Sequence, residues 1–143
     1  MIRAHGEYEI DDDLDRLDVA RIHDWLANSY WSPGISRERI ERAAVGSSLV
    51  VGTYLGATQV GYLRVVSDRA TFAWIADVFV DGPHRGKRIA NAMLRFALEH
   101  PAHQDLRRWI LATRDAHEVY REVGFAPLPN PERFMILKPP GGQ

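Results

Sequence analysis

The chain has 143 residues, 45% hydrophobic and 26% charged, which is the composition of one compact globular domain spanning 1–143. The formal net charge of -1 argues against a nucleic-acid partner, and the absence of cysteine excludes disulfides, thiolate metal sites and cysteine nucleophiles. No apolar run approaches the ~18 residues of a membrane span, and no basic-then-apolar leader opens the sequence, so no membrane partner is expected and the expected place is the cytoplasm.

Residues 7–10 read as a short first strand. Residues 1–30 carry eight acidic and three basic groups, and Asp11-Asp12-Asp13 with Asp15 and Asp18 reads as a solvated loop at the start of a helix. Asp18 is the N-cap, with Val19, Ile22, Trp25, Leu26 and Ser29 at helical spacing behind it. Tyr30-Trp31-Ser32-Pro33-Gly34 ends that helix, and Ser36 caps a second one running to about Val45. Residues 49–55 and 59–66 are β-rich and joined by a Gly56-Ala57 turn, and 71–80 is a long third member of that meander.

The pattern then changes. Asp81-Gly82-Pro83 is a turn, and His84-Arg85-Gly86-Lys87-Arg88 is a basic loop. Ala90, Met93, Leu94, Ala97 and Leu98 recur at helical spacing, and that helix stops before Pro101. A strand is expected at 109–113. Asp115 is expected to cap a last helix with Glu118 as capping-box partner, and Gly124 to end it. Residues 133–138 read as a final strand, and Pro139 onward as a tail. The sum is an α/β fold: an antiparallel meander followed by a β-α-β crossover, with helices on a mixed sheet. Only Lys87 and Lys138 among the 18 basic residues are lysine, a bias of GC-rich bacterial genomes.

Residues 78–90 carry the clearest chemistry. A strand runs into a glycine-containing basic loop that opens a helix, whose first N–H groups lack internal partners and whose dipole favours negative charge. Such a place takes phosphate, and Arg85, Lys87 and Arg88 add positive charge. The spacing is neither a P-loop nor G-x-G-x-x-G. Six scattered histidines without ligand spacing indicate no metal.

Arg85-Gly86-Lys87-Arg88-Ile89-Ala90 resembles the [RQ]-x-x-G-x-[GA] loop of the GNAT superfamily of N-acetyltransferases, with Arg88 where the family has Gly. Ala116, Tyr120, Gly124 and Phe125 match its A-x-x-x-Y-x-x-x-G-F helix in full, and Thr113 stands where the family often has Asn. The resemblance implies splayed central strands and acetyl-CoA as cosubstrate. Backbone groups of Val78, Phe79 and Val80 would hold the pantetheine, and those of residues 85–90 the pyrophosphate. It implies direct attack of an amine on the thioester, with no metal. Tyr120 would protonate the leaving thiolate. Asp77 would assist deprotonation of the amine, with His84 and His117 as runners-up. Tyr30 and Trp31 would border the acceptor, a small-molecule or peptide amine, and a homodimer is within the family's range. Arg88 is expected in the first helical turn at negative φ, its guanidinium beside the CoA phosphates. The rival readings are a CoA-binding sensor of the same fold without turnover, and a nucleic-acid-binding domain.

Overall fold

The computed structural model describes residues 1–141; residues 142 and 143, the end of the tail expected from Pro139, lie outside the described residues. Ten main elements follow in order: β1 (Ile2–His5), β2 (Tyr8–Asp11), α1 (Val19–Ala27), α2 (Arg37–Gly46), β3 (Leu49–Leu55), β4 (Thr58–Ser67), β5 (Phe72–Val80), α3 (Ile89–Glu99), β6 (Arg108–Ile110) and α4 (His117–Arg121). The six strands form one sheet in sequence order. Neighbours are antiparallel from β1 to β5, and β6 runs parallel to β5, giving the expected mixed sheet.

Alternation along the strands divides the core. Leu49, Val51, Leu63 and Val65 meet Ile89, Met93, Leu94, Phe96 and Ala97 of α3 on one face. Val50 and Tyr62 meet Ile22, Trp25, Leu26, Ile40 and Ala44 of α1 and α2 on the other. With both faces covered, β3 and β4 read as continuous apolar runs. The caps Asp18 and Ser36 do as expected: each side chain accepts from the backbone N–H three residues on, of Arg21 and Arg39.

Four expectations need correction. The strand read at 7–10 is β2, and it pairs with an unforeseen β1 through a tight turn in which Gly6 has φ +59. The strand read at 109–113 is β6 at 108–110, short because it separates early from β5. Asp115 caps nothing: Ala116 stands at the cap of α4 without a side-chain bond, Ala116 N–H donates to Thr113 Oγ1, and Glu118 pairs with Arg121. Among the described residues, 133–138 form no strand and join none of the six.

The β4–β5 turn rests on Asp68. Its carboxylate accepts from Thr71 Oγ1 and from the N–H groups of Thr71, Ala70 and Phe72. These bonds, the Thr71 side chain's first, hold the carboxyl well below the usual carboxylate range. A group depressed on folding stabilises above its unfolded pKa of ~3.9 and loses that contribution as pH falls further. Asp68→Ala is therefore expected to lower the melting temperature at pH 7, with the gap to wild type narrowing below pH ~4. Melts at pH 7 and pH 3 check this; a gap of constant size contradicts it.

One irregularity shapes the rest of the molecule. Tyr62 pairs with Phe79 and Arg64 with Ala76, so Leu63 faces two residues, Asp77 and Val78. The extra residue is a β-bulge, and Asp77 takes it up in the left-handed region at φ +56. A bulge bends its strand and increases the local twist. On its other side β5 pairs with β6 only at Phe72, Ala73 and Trp74. Beyond Trp74 the two parallel strands diverge, and this is the splay.

Candidate functional site

The divergence leaves the β6-facing edge of β5 open from Ile75 to Val80, and a cleft of about 1320 Å³ occupies the gap. Asp77, Val78, Phe79, Val80, Arg85, Gly86, Arg88, Ile89, Ala90, Tyr120, Tyr30 and Trp31 all line it. Lys87 does not: its carbonyl accepts from His5 Nε2 at 2.8 Å, and its ammonium lies 5.9 Å from the centre of the Tyr8 ring. His84 lines the cleft and is hydrogen-bonded through Nδ1 to Tyr8 Oη at 2.8 Å. His117 lies off the cleft, in the groove beside β6.

At one end the cleft meets the N-terminus of α3. Gly86 at φ +81 and Arg88 at φ +61 curl the chain into the helix, and no side chain caps it. An uncapped first turn approached through left-handed residues presents backbone N–H groups to an anion. Arg85 is fixed at this mouth: its Nε donates to Val80 O at 2.9 Å, and its guanidinium lies over the Phe79 ring.

Arg88 overturns the expectation of negative φ. It is the N-cap itself, in the left-handed region at φ 61 and ψ 28. Its guanidinium pairs with Glu122 Oε2 at 2.9 Å, where Asn91 Nδ2 also donates. The tight turn out of Gly86 demands that conformation, and the carboxylate just past α4 draws the side chain. A non-glycine residue held there costs roughly 1–2 kcal/mol. Arg88→Gly and Arg88→Ala both delete the exposed ion pair, so their difference isolates the backbone. The glycine variant is expected to be the more stable by about 1 kcal/mol in denaturant melts. An alanine variant of equal or greater stability contradicts the left-handed assignment.

The loop between α1 and α2 crosses the cleft and is tied to both sides. Trp31 Nε1 donates to Asp77 Oδ1 at 2.9 Å. Tyr30 Oη accepts from Arg114 N–H at 2.9 Å, and the Arg114 guanidinium stacks 3.9 Å over the Tyr30 ring. The other oxygen of Asp77 accepts from Arg64 Nε at 2.6 Å, and the Asp77 side chain is only 9% exposed. A carboxylate has about four acceptor sites, so two remain after Trp31 and Arg64 are served.

Tyr120 stands on the opposite wall, its ring edge-on to Phe125. Burial, reinforced by Tyr30 and Asp115, pushes its phenol up to about 12. It therefore stays protonated through the neutral and mildly alkaline range, as a proton or hydrogen-bond donor. Arg64, Trp74, Arg114 and Glu122 also line the cleft and were not singled out from sequence. They arrive from β4, the start of β5, the loop after β6 and the end of α4, and no local spacing marks them. Among the described residues no group of three or more His, Asp or Glu side chains could hold a metal ion, and no helix is long and apolar enough to cross a membrane.

Comparison with known proteins adds a family to this geometry. The model described as "Acetyltransferase (GNAT) family" matches residues 12–125. A crystal structure from Xanthomonas campestris pv. campestris, described as belonging to the GNAT family, is 37% identical; the match covers 96% of this chain and 97% of that one with a TM-score of 0.90. Glucosamine-6-phosphate N-acetyltransferase from Arabidopsis thaliana shares the fold at 15% identity and a TM-score of 0.63, over 92% and 97% of the two chains. A protein of unknown function from meticillin-resistant Staphylococcus aureus shares it at 17% and 0.74, over 91% and 97%. No curated protein matches the chain.

Proposed function

The chain belongs to the GNAT acetyltransferase family, and from that premise we propose that it moves an acetyl group from acetyl-CoA to the nitrogen of a primary amine by direct attack. The observation that supports this most is the open edge of β5 from Ile75 to Val80, leading to the uncapped N-terminus of α3. An extended pantetheine arm carries amides at the spacing of a peptide and can add to a strand edge through main-chain bonds, here those of Val78, Phe79 and Val80. The pyrophosphate then meets the N–H groups of residues 85–90.

The acceptor, a small-molecule or peptide amine, enters beneath the Tyr30–Trp31 crossing. A lysine-like amine at ~10.4 needs about 4.6 kcal/mol to lose its proton at neutral pH without a base. Asp77 takes that proton, directly or through a water on its remaining acceptor sites. Attack forms the N–C bond, the C–S bond breaks, and Tyr120 donates to the leaving sulfur.

Asp77→Asn keeps a residue that tolerates left-handed backbone and still accepts from Trp31. It is expected to lower turnover at pH 7 by tenfold or more, with part of the loss recovered by pH 9, where more amine is already free. A deficit of the same size at every pH removes the base role, and lost folding assigns Asp77 to the Arg64 pair alone. A CoA-binding module without turnover is the second reading, favoured by the pairing of Arg88 with Glu122 instead of a free cation at the mouth. Mass spectrometry of amines incubated with the protein and acetyl-CoA decides between them: an N-acetylated product is expected, and none from alkylamines, amino acids, amino sugars or lysine peptides overturns the proposal.

A further inference from the structure

The half of the cleft away from α3 continues onto bare sheet. Arg64 of β4 pairs with Ala76 of β5, and Val66 with Trp74, so strand alternation puts these four and Phe72 on one face. It is the face on which α1 and α2 cover Val50 and Tyr62. The two helices do not reach the start of β5, where Val66, Phe72 and Trp74 are 41%, 37% and 36% exposed. Single exposed apolar side chains are ordinary, but these three adjoin, and Trp74 lines the cleft itself. The polar groups around them are already matched. Arg64 is paired with Asp77, and Arg114 with Asp115 at 3.6 Å. The indole N–H of Trp31 is spent on Asp77, and the Tyr30 hydroxyl accepts from Arg114 N–H, so what these two residues offer is ring surface. Among the described residues lining this half of the cleft, no cation is left over for a phosphate or carboxylate, and no row of carboxylates awaits a second ammonium.

We propose that the acceptor is an arylalkyl amine with no charge beyond its amino group, which sits at Asp77 while the aryl ring lies on Trp74 beside Val66. The proposal rests on the acetyltransferase reading and names the substrate class for it. Trp74 stands three residues before Asp77, about 10 Å along the strand at ~3.3 Å per residue. A ring, a short carbon arm and one hydrogen bond cover that span. Aromatic rings attract one another in offset-stacked and edge-on geometries, and the indole offers a broad face for either. The arriving ammonium is drawn to the same surfaces, since Tyr30, Trp31 and Trp74 all line the cleft around Asp77. Exclusion sharpens the choice. An amine that also carries a phosphate, a carboxylate or a second ammonium would bring that charge against apolar surface without a partner, and such a charge is costly to desolvate.

The test is kcat/KM with acetyl-CoA for 2-phenylethylamine and tryptamine against ethanolamine, O-phosphoethanolamine, glutamate and spermidine. The aryl amines are expected to lead by at least ~10-fold, since a ring contributes more than the single methylene that already gives about that factor. Trp74→Ala is expected to erase the lead through KM, and Trp74→Phe to keep most of it. Should Trp74→Ala fold poorly, Val66→Asp sets a carboxylate beside the ring and is expected to move the preference towards spermidine. Saturation-transfer NMR of 2-phenylethylamine on the CoA-loaded protein needs no turnover. Binding that Trp74→Ala abolishes, with no amine acetylated, would sustain the aryl site and overturn the transferase reading. Acetylation led by any of the four amines without a ring overturns the aryl site and sustains the transferase. A Trp74→Ala protein altered in its use of longer acyl-CoAs, and not of amines, would assign the ring to the acyl chain and overturn the proposal. So would 2-phenylethylamine that neither binds nor reacts.

Discussion

Tyr120→Phe is expected to lower turnover by about 10²–10⁴-fold while leaving CoA affinity nearly unchanged. The substitution keeps the ring that packs edge-on to Phe125 and deletes only the hydroxyl. At about 12 the phenol is a weaker acid than a model thiol at ~8.5, which would oppose full proton transfer. The same burial, however, raises a thiol lodged in the cleft, because desolvation disfavours any charged form. The hydroxyl's contribution is then a hydrogen bond that strengthens as charge builds on sulfur, in a cleft where that charge has little water. The sign of the pH dependence follows. With its pKa raised, Tyr120 remains protonated to well above pH 9, so turnover should rise from pH 7 to 9 with the free amine. The deficit of Tyr120→Phe should be nearly constant across that window. Activity within threefold of wild type would leave Tyr120 as a core aromatic.

CoA itself is expected to stabilise the protein. At ~100 times the dissociation constant, a ligand binding only the folded state adds about 2.7 kcal/mol. For a domain of this size that raises the melting temperature by roughly 5–10 °C. The effect should be strongest with the intact pyrophosphate, which meets the first turn of α3, and weaker with pantetheine alone. It should fall as salt rises, since the mouth of the cleft is exposed. No shift at millimolar CoA would remove the cosubstrate from the account while leaving the fold untouched.

What could be read from the sequence was local. Asp18 and Ser36 cap their helices through bonds three residues long, so composition and spacing sufficed. The loop at 85–90 and the helix bearing Tyr120 were legible for the same reason: each is a continuous segment with a pattern of its own. The conformations of Asp77 and Arg88 were not. The left-handed turn at Asp77 follows from the β4–β5 register, in which Leu63 faces two residues, and no residue near Asp77 announces it. Arg88 occupies a glycine's conformation because Glu122 and the turn out of Gly86 meet it there, 34 residues apart in the chain. The strand pattern at 133–138 reflects propensity alone, and the structure forms no strand there, since propensity without a paired neighbour does not make a strand. Trp31 and Tyr30 were read as aromatics bordering the acceptor; that their polar atoms tie the crossing to Asp77 and Arg114 emerged only from the fold.

The central claim is tested most directly by the release of free thiol from acetyl-CoA, followed with and without a panel of primary amines. The account predicts slow release from acetyl-CoA alone, a rate that rises and saturates with at least one amine, and loss of that amine-dependent rate in Tyr120→Phe. Tight CoA binding with no amine-dependent release anywhere in the panel would contradict it and leave a CoA-binding domain that does not turn over.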